Sequence, residues 1–344
     1  MGILMSSTAN RSEVARRAGV AESTVSRALN DSPLISEPIK ERVRIAAREL
    51  DYIPSRQAAL FARKRTATIG FVVPSYQSFP PFSRSYFPAL LDGVVLECDA
   101  GGFAATIILD RQLEGIADYS ALIRSKTVDG LLFAVTRADF RPFAGLRAQG
   151  VPFVLINNYL DGLNSVDAKP ESGMRKAFSH ASNLGHRRIG YITGDMHYRN
   201  AIDRLEVFKY LASEYALDTI VVEGNFSKTS GLNGAARLLN GNDVPTLIMT
   251  SSDRCAFGVL QCASGRGIKV PHDLSVIGYD NLPPVRDISP PLSTIIHPVT
   301  ELARHATRLL IDILEHGRSE PVQEWLDTEF IVRESTSVCP VTVG

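Results

Sequence analysis

The chain has 344 residues, 44% of them apolar, with 37 acidic and 37 basic side chains, a composition that supports two or three globular units and exceeds a single typical core. The balance is local rather than uniform: residues 1–65 carry 12 Lys+Arg against 7 Asp+Glu, leaving 25 against 30, so a head of about +5 precedes a body of about −5, as suits a basic nucleic-acid-binding head on an acidic body. No stretch approaches the ~20 uninterrupted apolar residues of a membrane span, and Met1 to Thr8 is too short for a secretory signal, so neither a membrane protein nor an exported one is expected.

The run from Val14 to Asn30 reads as two short helices about a glycine turn, the pattern of a helix-turn-helix. Val14, Ala15 and Ala18 give the first helix its apolar stripe, Gly19 supplies the turn, and Val20, Val25 and Leu29 form the inward face of the second. Glu22, Ser23 and Arg27 are left outside. Such a set at the start of a helix suits a major groove, where arginine donates two bonds to guanine and glutamate accepts from cytosine; an ordinary helical hairpin with solvated charges gives the same pattern. A third helix is expected from about Ser36 to Leu50, with Ile39, Val43, Ala46 and Leu50 inward, Arg42, Arg44 and Arg48 outward, Ser36 as cap and Pro38 in the first turn. Pro54 stops it, and Ser55 to Lys64 forms a short basic hinge.

From Ile69 onward, near-continuous apolar runs alternate with helical intervals. The expected strands are Ile69–Val73, Ala104–Leu109, Gly130–Val135 and Pro152–Ile156, then Ile189–Thr193, Thr219–Val222, Thr246–Met249 and Ser275–Gly278. Strands of this type imply β-α-β units in parallel sheets covered on both faces. Two series imply two lobes, whose facing strand ends would hold a ligand between them.

Cys98, Cys255, Cys262 and Cys339 form no C-x-x-C pair and no finger spacing with histidine, which fits a reducing cytoplasm and no metal site. There is no G-x-S-x-G, no H-E-x-x-H and no glycine-lysine phosphate loop, so no enzyme and no cofactor are expected.

The sequence resembles the LacI/GalR family of bacterial transcription regulators. The similarity is carried by Gly19 through Asn30, Tyr52 Ile53 Pro54, Thr68 to Pro74, Val128 Asp129 Gly130 Leu131, Leu184 to Ile189, Val276 to Asn281 and Pro290 to Ile295, in the family's order and spacing. It implies an α/β protein with an N-terminal three-helix helix-turn-helix head plus hinge, followed by a two-lobed periplasmic-binding-protein-like body with parallel sheets. The implied divisions are a head at 1–54, a hinge helix and linker at 55–68, a first lobe at 69–166 and 297–320, and a second lobe at 167–296 and 321–344. On this basis the helix Val299–Glu315 returns to the first lobe and a strand around Glu324–Val332 to the second.

The resemblance further implies a cytoplasmic, homodimeric repressor on a pseudo-palindromic duplex operator, controlled by a small effector of the sugar class. A purine or nucleoside effector, a sugar acid, or a solute receptor without regulatory role are the rival readings. Glu22, Ser23 and Arg27 are the implied base readers, and Thr24, Ser26 and Asn30 the implied phosphate contacts. Ala21 stands where the family usually has a capping serine, a loss worth ~1 kcal/mol. In the hinge, Phe61 falls where relatives wedge a leucine into the minor groove, so either Phe61 wedges or the hinge presents Leu60, unless both simply pack hinge against hinge. In the body, the implied effector residues are Tyr86 (or Phe87), Arg204, Phe226, Ser252 and Asp280, the rival reading of each being an internal salt bridge or a core aromatic. Ser75 to Ser85 is longer than usual, which remodels the cleft mouth. Lys169 Pro170 replaces the family's usual Asp-Asn ahead of Gly173, an acidic-to-basic change that either admits an anionic ligand or leaves Lys169 solvated.

Overall fold

The computed structural model describes residues 10–29, 31–52, 66–74, 81–83, 85–110, 118–137, 142–241, 243–318 and 320–340. The chain forms two units, Met1–Ala67 and Thr68–Gly344.

In the first unit, α1 (Arg11–Ala18), α2 (Glu22–Leu29) and α3 (Glu37–Glu49) enclose a small core of Val14, Ala15, Ala18, Val25, Ala28, Val43, Ala46 and Ala47. Asn10 caps α1 in a reciprocal box: its side chain accepts from the Glu13 amide at 3.0 Å, and its own amide donates to the Glu13 carboxylate at 2.8 Å, satisfying two end donors. Gly19 adopts φ 65°, the left-handed turn that a β-carbon would disfavour. Ser36 occupies the expected cap of α3 with Pro38 in the first turn, but its hydroxyl makes no capping bond.

The second unit contains two six-stranded sheets. The first is built from β1 (Thr68–Pro74), β2 (Ala104–Asp110), β3 (Gly130–Ala134), β4 (Phe153–Ile156), β5 (Ser165–Lys169) and β11 (Gln323–Asp327), in the order β11-β5-β4-β3-β1-β2 and parallel throughout. Its helices are α4 (Tyr86–Ala100), α5 (Tyr119–Arg124), α6 (Pro142–Ala148) and α11 (Val299–His316). Phe133, Phe143 and Phe153 form its aromatic centre, with Phe133 meeting Phe143 edge-on at 5.1 Å.

The second sheet contains β6 (Arg188–Ile192), β7 (Asp218–Val222), β8 (Leu247–Thr250), β9 (Ser275–Asp280), β10 (Ser293–Ile296) and β12 (Glu329–Ile331), in the order β12-β10-β9-β8-β6-β7, with β12 alone antiparallel. Its helices are α7 (Pro170–Asn183), α8 (Arg199–Glu214), α9 (Lys228–Leu238) and α10 (Asp253–Gly265). Alternation along the strands divides its core between two faces: Tyr191, Met249 and Ile277 pack toward Phe178 and Phe208, while Ile192, Ile248 and Val276 pack toward Val259 and Ala235. Period-two strands buried on both sides read as unbroken apolar runs for this reason.

Two features differ from the sequence expectation. Gln323–Asp327 and Glu329–Ile331 are separate strands in different sheets, so the expected strand at 324–332 is divided and its first half belongs with the first lobe. Thr328 is the break: its hydroxyl donates to the Lys169 carbonyl at 2.8 Å and accepts from the Gly173 amide at 2.9 Å, turning the chain between sheets. The first sheet also retains β5 as far as Lys169, beyond the expected boundary at 166. Chain crossings therefore fall at Lys169–Pro170, around His297–Pro298 and at Thr328.

Candidate DNA-reading head and interlobe ligand site

On α2, Glu22, Ser23 and Arg27 are exposed, Thr24 and Ser26 are half-buried, and Val25 and Ala28 are buried. The outward set thus lies on the face opposite the anchors Val25 and Ala28. Arg11 donates to the Glu22 carboxylate at 3.3 Å, which ties the start of α1 to the start of α2. Without a side-chain cap at Ala21, the turn is closed by the Ala21 carbonyl, which accepts from Thr24 and Val25 at 2.9 and 3.1 Å. Asn30, Leu60 and Phe61 lie outside the described residues.

In the body, the C-terminal ends of the two sheets and the first turns of the helices that follow enclose a cavity of about 510 Å³. Tyr86, Arg204, Phe226, Ser252 and Asp280 all line it, together with Phe87, Val135, Asp195, Tyr198, Asn200, Asn225, Ser227, Thr229 and Arg254. A crevice outside the carboxyl ends of parallel strands is where this topology leaves room for a ligand.

Arg204 is the organising group. It is 3% exposed, its guanidinium lies 3.7 Å from the Tyr279 ring centre and 3.8 Å from the Asp280 carboxylate, and it donates to the Ser251 carbonyl at 2.6 Å. Burial opposes its charge, but Tyr279 and Asp280 hold its pKa above the ordinary value. Burial pushes Asp280 up to about 7 against the pull of Arg204, and Asp253 is raised well above the ordinary carboxylate range by burial and by Asp280. Asp253 is a structural partner: one oxygen accepts from the Thr294 hydroxyl at 2.6 Å and the other from the Leu282 amide at 3.2 Å.

Tyr86 accepts from the Asn157 amide at 2.7 Å, and its ring lies nearly parallel to His297, 6.3 Å between centres. Phe226 forms the facing wall over Gly194, where a β-carbon would overlap the ring. Ser252 is more committed: its hydroxyl caps α10 by accepting from the Cys255 amide at 3.2 Å and donates to the Phe226 carbonyl at 3.1 Å, so its visible work is to fix that wall. Three residues lining the cavity, Val135 (φ 50°), Phe226 (φ 62°) and Asp280 (φ 122°), have positive φ, as does Asn157 (φ 55°), the partner of Tyr86. Non-glycine residues pay for such conformations, and their concentration around one cavity marks a site held in shape by its surroundings.

Behind the cavity, a small space of about 10 Å³ is lined by Asn157, Asp167, Asp203, Arg204, Tyr279 and His297, among others. Asp167 is raised to about 7, chiefly by burial; His297 is held neutral, well below its usual value, by burial and by Arg204. Both His297 ring nitrogens and the Asn157 carbonyl oxygen are buried without hydrogen-bond partners. Lys169, by contrast, is exposed at the end of β5 and does not line the main cavity. No group of three or more metal-ligating side chains occurs among the described residues, and the described cysteines are all free.

Residues 12–55 match the description "Bacterial regulatory proteins, lacI family" and residues 178–336 match "Periplasmic binding protein-like domain". The ribose operon repressor of Halalkalibacterium halodurans is 30% identical over 328 residues, 94% of this chain and 96% of its own. The HTH-type transcriptional regulator CelR of Thermobifida fusca is 31% identical over 333 residues, 94% and 96% of the two chains. The chain belongs to the LacI family.

Among solved structures, a CelR–cellobiose complex superposes with TM-score 0.71 at 28% identity, covering 95% of this chain and 99% of that one. A Lac repressor dimer bound to operator and an anti-inducer shares the fold with TM-score 0.82 at 24% identity, covering 96% and 99%. As a LacI-family member the protein is a DNA-binding transcriptional regulator, not an enzyme.

Sequence reasoning did not name Asp195, Asn200, Asn225 or Arg254, all of which line the cavity. Position would have found them: Asp195 and Asn225 follow the ends of β6 and β7, and Asn200 and Arg254 lie in the first turns of α8 and α10.

Proposed function

We propose that this LacI-family protein is a cytoplasmic repressor that grips a pseudo-palindromic operator as a homodimer, with an affinity set by a sugar or sugar derivative held between its lobes. The observation that carries this reading is the gathering of Tyr86, Arg204, Phe226, Ser252 and Asp280 around one cavity, in the same chain as an exposed Glu22, Ser23 and Arg27 on a short helix. In that cavity Arg204 and Asp280 bond ligand hydroxyls, and Tyr86 and Phe226 flank the apolar face of the ring. Ser252 holds the Phe226 wall. At the operator, Glu22, Ser23 and Arg27 read base edges, Thr24, Ser26 and Asn30 hold phosphates, and Leu60 or Phe61 enters the minor groove.

The names of the ribose operon repressor and of the CelR–cellobiose complex favour a sugar-class effector. A dimer is supported by Val95 and Leu96 on α4 and by Ile107 and Leu109 on the edge strand β2, large apolar side chains left 46–59% exposed, since contiguous exposed apolar surface marks an interface. None of the described helices is long and apolar enough to cross a membrane.

Selection of duplexes from a random pool, followed by anisotropy titration of the selected site with and without ribose, cellobiose and other sugars, tests the proposal. Enrichment of a two-fold-symmetric site whose affinity moves with one sugar is the expected result; absence of any enriched site sinks it.

A further inference from the structure

Two arginines line the interlobe cavity, and they differ in one respect. Arg204 is compensated by Asp280, the Ser251 carbonyl and the Tyr279 ring. Arg254, in the first turn of α10, faces the same space with no carboxylate at ion-pair distance among the described residues, and its Nε is buried without an acceptor. Its pKa is pushed down by burial alone, with no neighbouring acid to offset the loss of water. The remaining acids of the cavity are engaged elsewhere: Asp195 accepts from the His197 amide at 2.9 Å and from its ring at 2.7 Å, and Asp280 faces Arg204.

The surroundings favour negative charge at this end. Ser227 caps α9 and Ser252 caps α10, and both caps line the cavity, so the positive ends of two helix dipoles open toward Arg254. A guanidinium offers five donors in a planar fork that matches a carboxylate or a phosphate. A neutral polyol satisfies the hydrogen bonds but leaves the half-buried charge uncompensated.

We infer that the effector carries an anionic group, a carboxylate or phosphate on a polyol frame, and that Arg254 binds it. This rests on the reading of the interlobe cavity as the effector site. Arg204 and Asp280 then hold the hydroxyl-bearing end of the ligand, and Arg254 sets its charge.

The test uses the full-length protein with inorganic phosphate against chloride at matched ionic strength, then glucose, gluconate and glucose 6-phosphate by calorimetry. Phosphate is expected to raise the wild-type melting temperature. Arg254→Gln lowers that rise to whatever the basic head contributes, which is common to all three proteins, and Arg254→Lys keeps part of the difference because the charge remains without the fork. Gluconate or glucose 6-phosphate is expected to bind at least about tenfold more tightly than glucose, the size of effect that charge-assisted bonds supply, with the gap closing in Arg254→Gln. Whichever anion shows the gap identifies carboxylate or phosphate ester. An equal phosphate rise in wild type and Arg254→Gln, or glucose binding as tightly as both anions, overturns the inference. Operator selection with the wild type separates this from the regulator reading: absence of an enriched site removes the latter and leaves the anion result standing.

Discussion

Asp167 gives a quantitative handle on the region behind the cavity. It is 3% exposed, and its only hydrogen bond among the described residues is from the Ala168 amide at 2.7 Å. Its pKa rises from an ordinary 3.8 to about 7, chiefly through burial. Because the folded value lies above the unfolded one, the native state binds this proton more tightly. The stabilisation is fully present below about pH 4 and is lost as pH climbs through about 7. At 1.36 kcal/mol per pH unit, the displacement sets a ceiling of about 4 kcal/mol on the cost of ionising Asp167 in the folded chain. Asp167→Asn keeps the acceptor for Ala168 and removes the titration. Its stability relative to wild type should therefore improve from pH 5 to pH 8 by about 2.7 kcal/mol, the two units between pH 5 and the folded value near 7 at 1.36 kcal/mol each. Denaturant unfolding of both proteins at the two pH values reads it, and the comparison cancels Asp253 and Asp280, which also titrate high. Identical pH dependence in the two proteins would refute the argument that burial governs this carboxyl.

Three further outcomes are expected. Arg27→Ala should weaken operator binding by about 1–3 kcal/mol and relax selectivity at one base pair, measured by anisotropy on single-base operator variants; a uniform loss on all sequences would indicate a phosphate contact instead. Asp280→Asn should abolish the effector-dependent change in operator affinity while site-selective binding persists, and a wild-type titration curve would remove Asp280 from the ligand's partners. Gly231→Ala or Gly258→Ala should destabilise the second lobe by about 1–3 kcal/mol, because a methyl group there would overlap the Cys255 or Lys228 carbonyl oxygen of the facing helix; an unchanged melting temperature would show that α9 and α10 can part without cost.

The central strands were legible because buried parallel strands are nearly continuous apolar runs, as in Ile69–Val73 and Ile189–Ile192, and the edge strands β2 and β7 because they are apolar runs too although partly exposed. β5 (Ser165–Lys169) and β10 (Ser293–Ile296) escaped notice because they carry Ser165, Asp167, Ser293 and Thr294 into the interior, where only tertiary partners make such residues tolerable. Ser293, for example, accepts from the Arg333 amide at 2.8 Å through its hydroxyl, a contact 40 residues away. The Glu324–Val332 strand was split by Thr328, whose bonds to Lys169 and Gly173 have no signature in local sequence. Within the site, the resemblance supplied Tyr86, Arg204, Phe226, Ser252 and Asp280. It passed over Arg254, because an arginine early in a helix reads as a solvated charge until its buried Nε is seen.

Three strands of chain connect the lobes, and they leave from neighbouring positions: β5 lies beside β11 at one margin of the first sheet, and β10 beside β12 at one margin of the second. A triple tether of this kind resists sliding and twisting but yields to bending, as a door on three pins does. The Ser85 hydroxyl, bonded to the Pro283 carbonyl at 2.8 Å, joins the two leaves directly. A small rotation about the tether would part that contact, so a molecule only slightly too bulky to let the leaves meet would be sensed there as a broken bond.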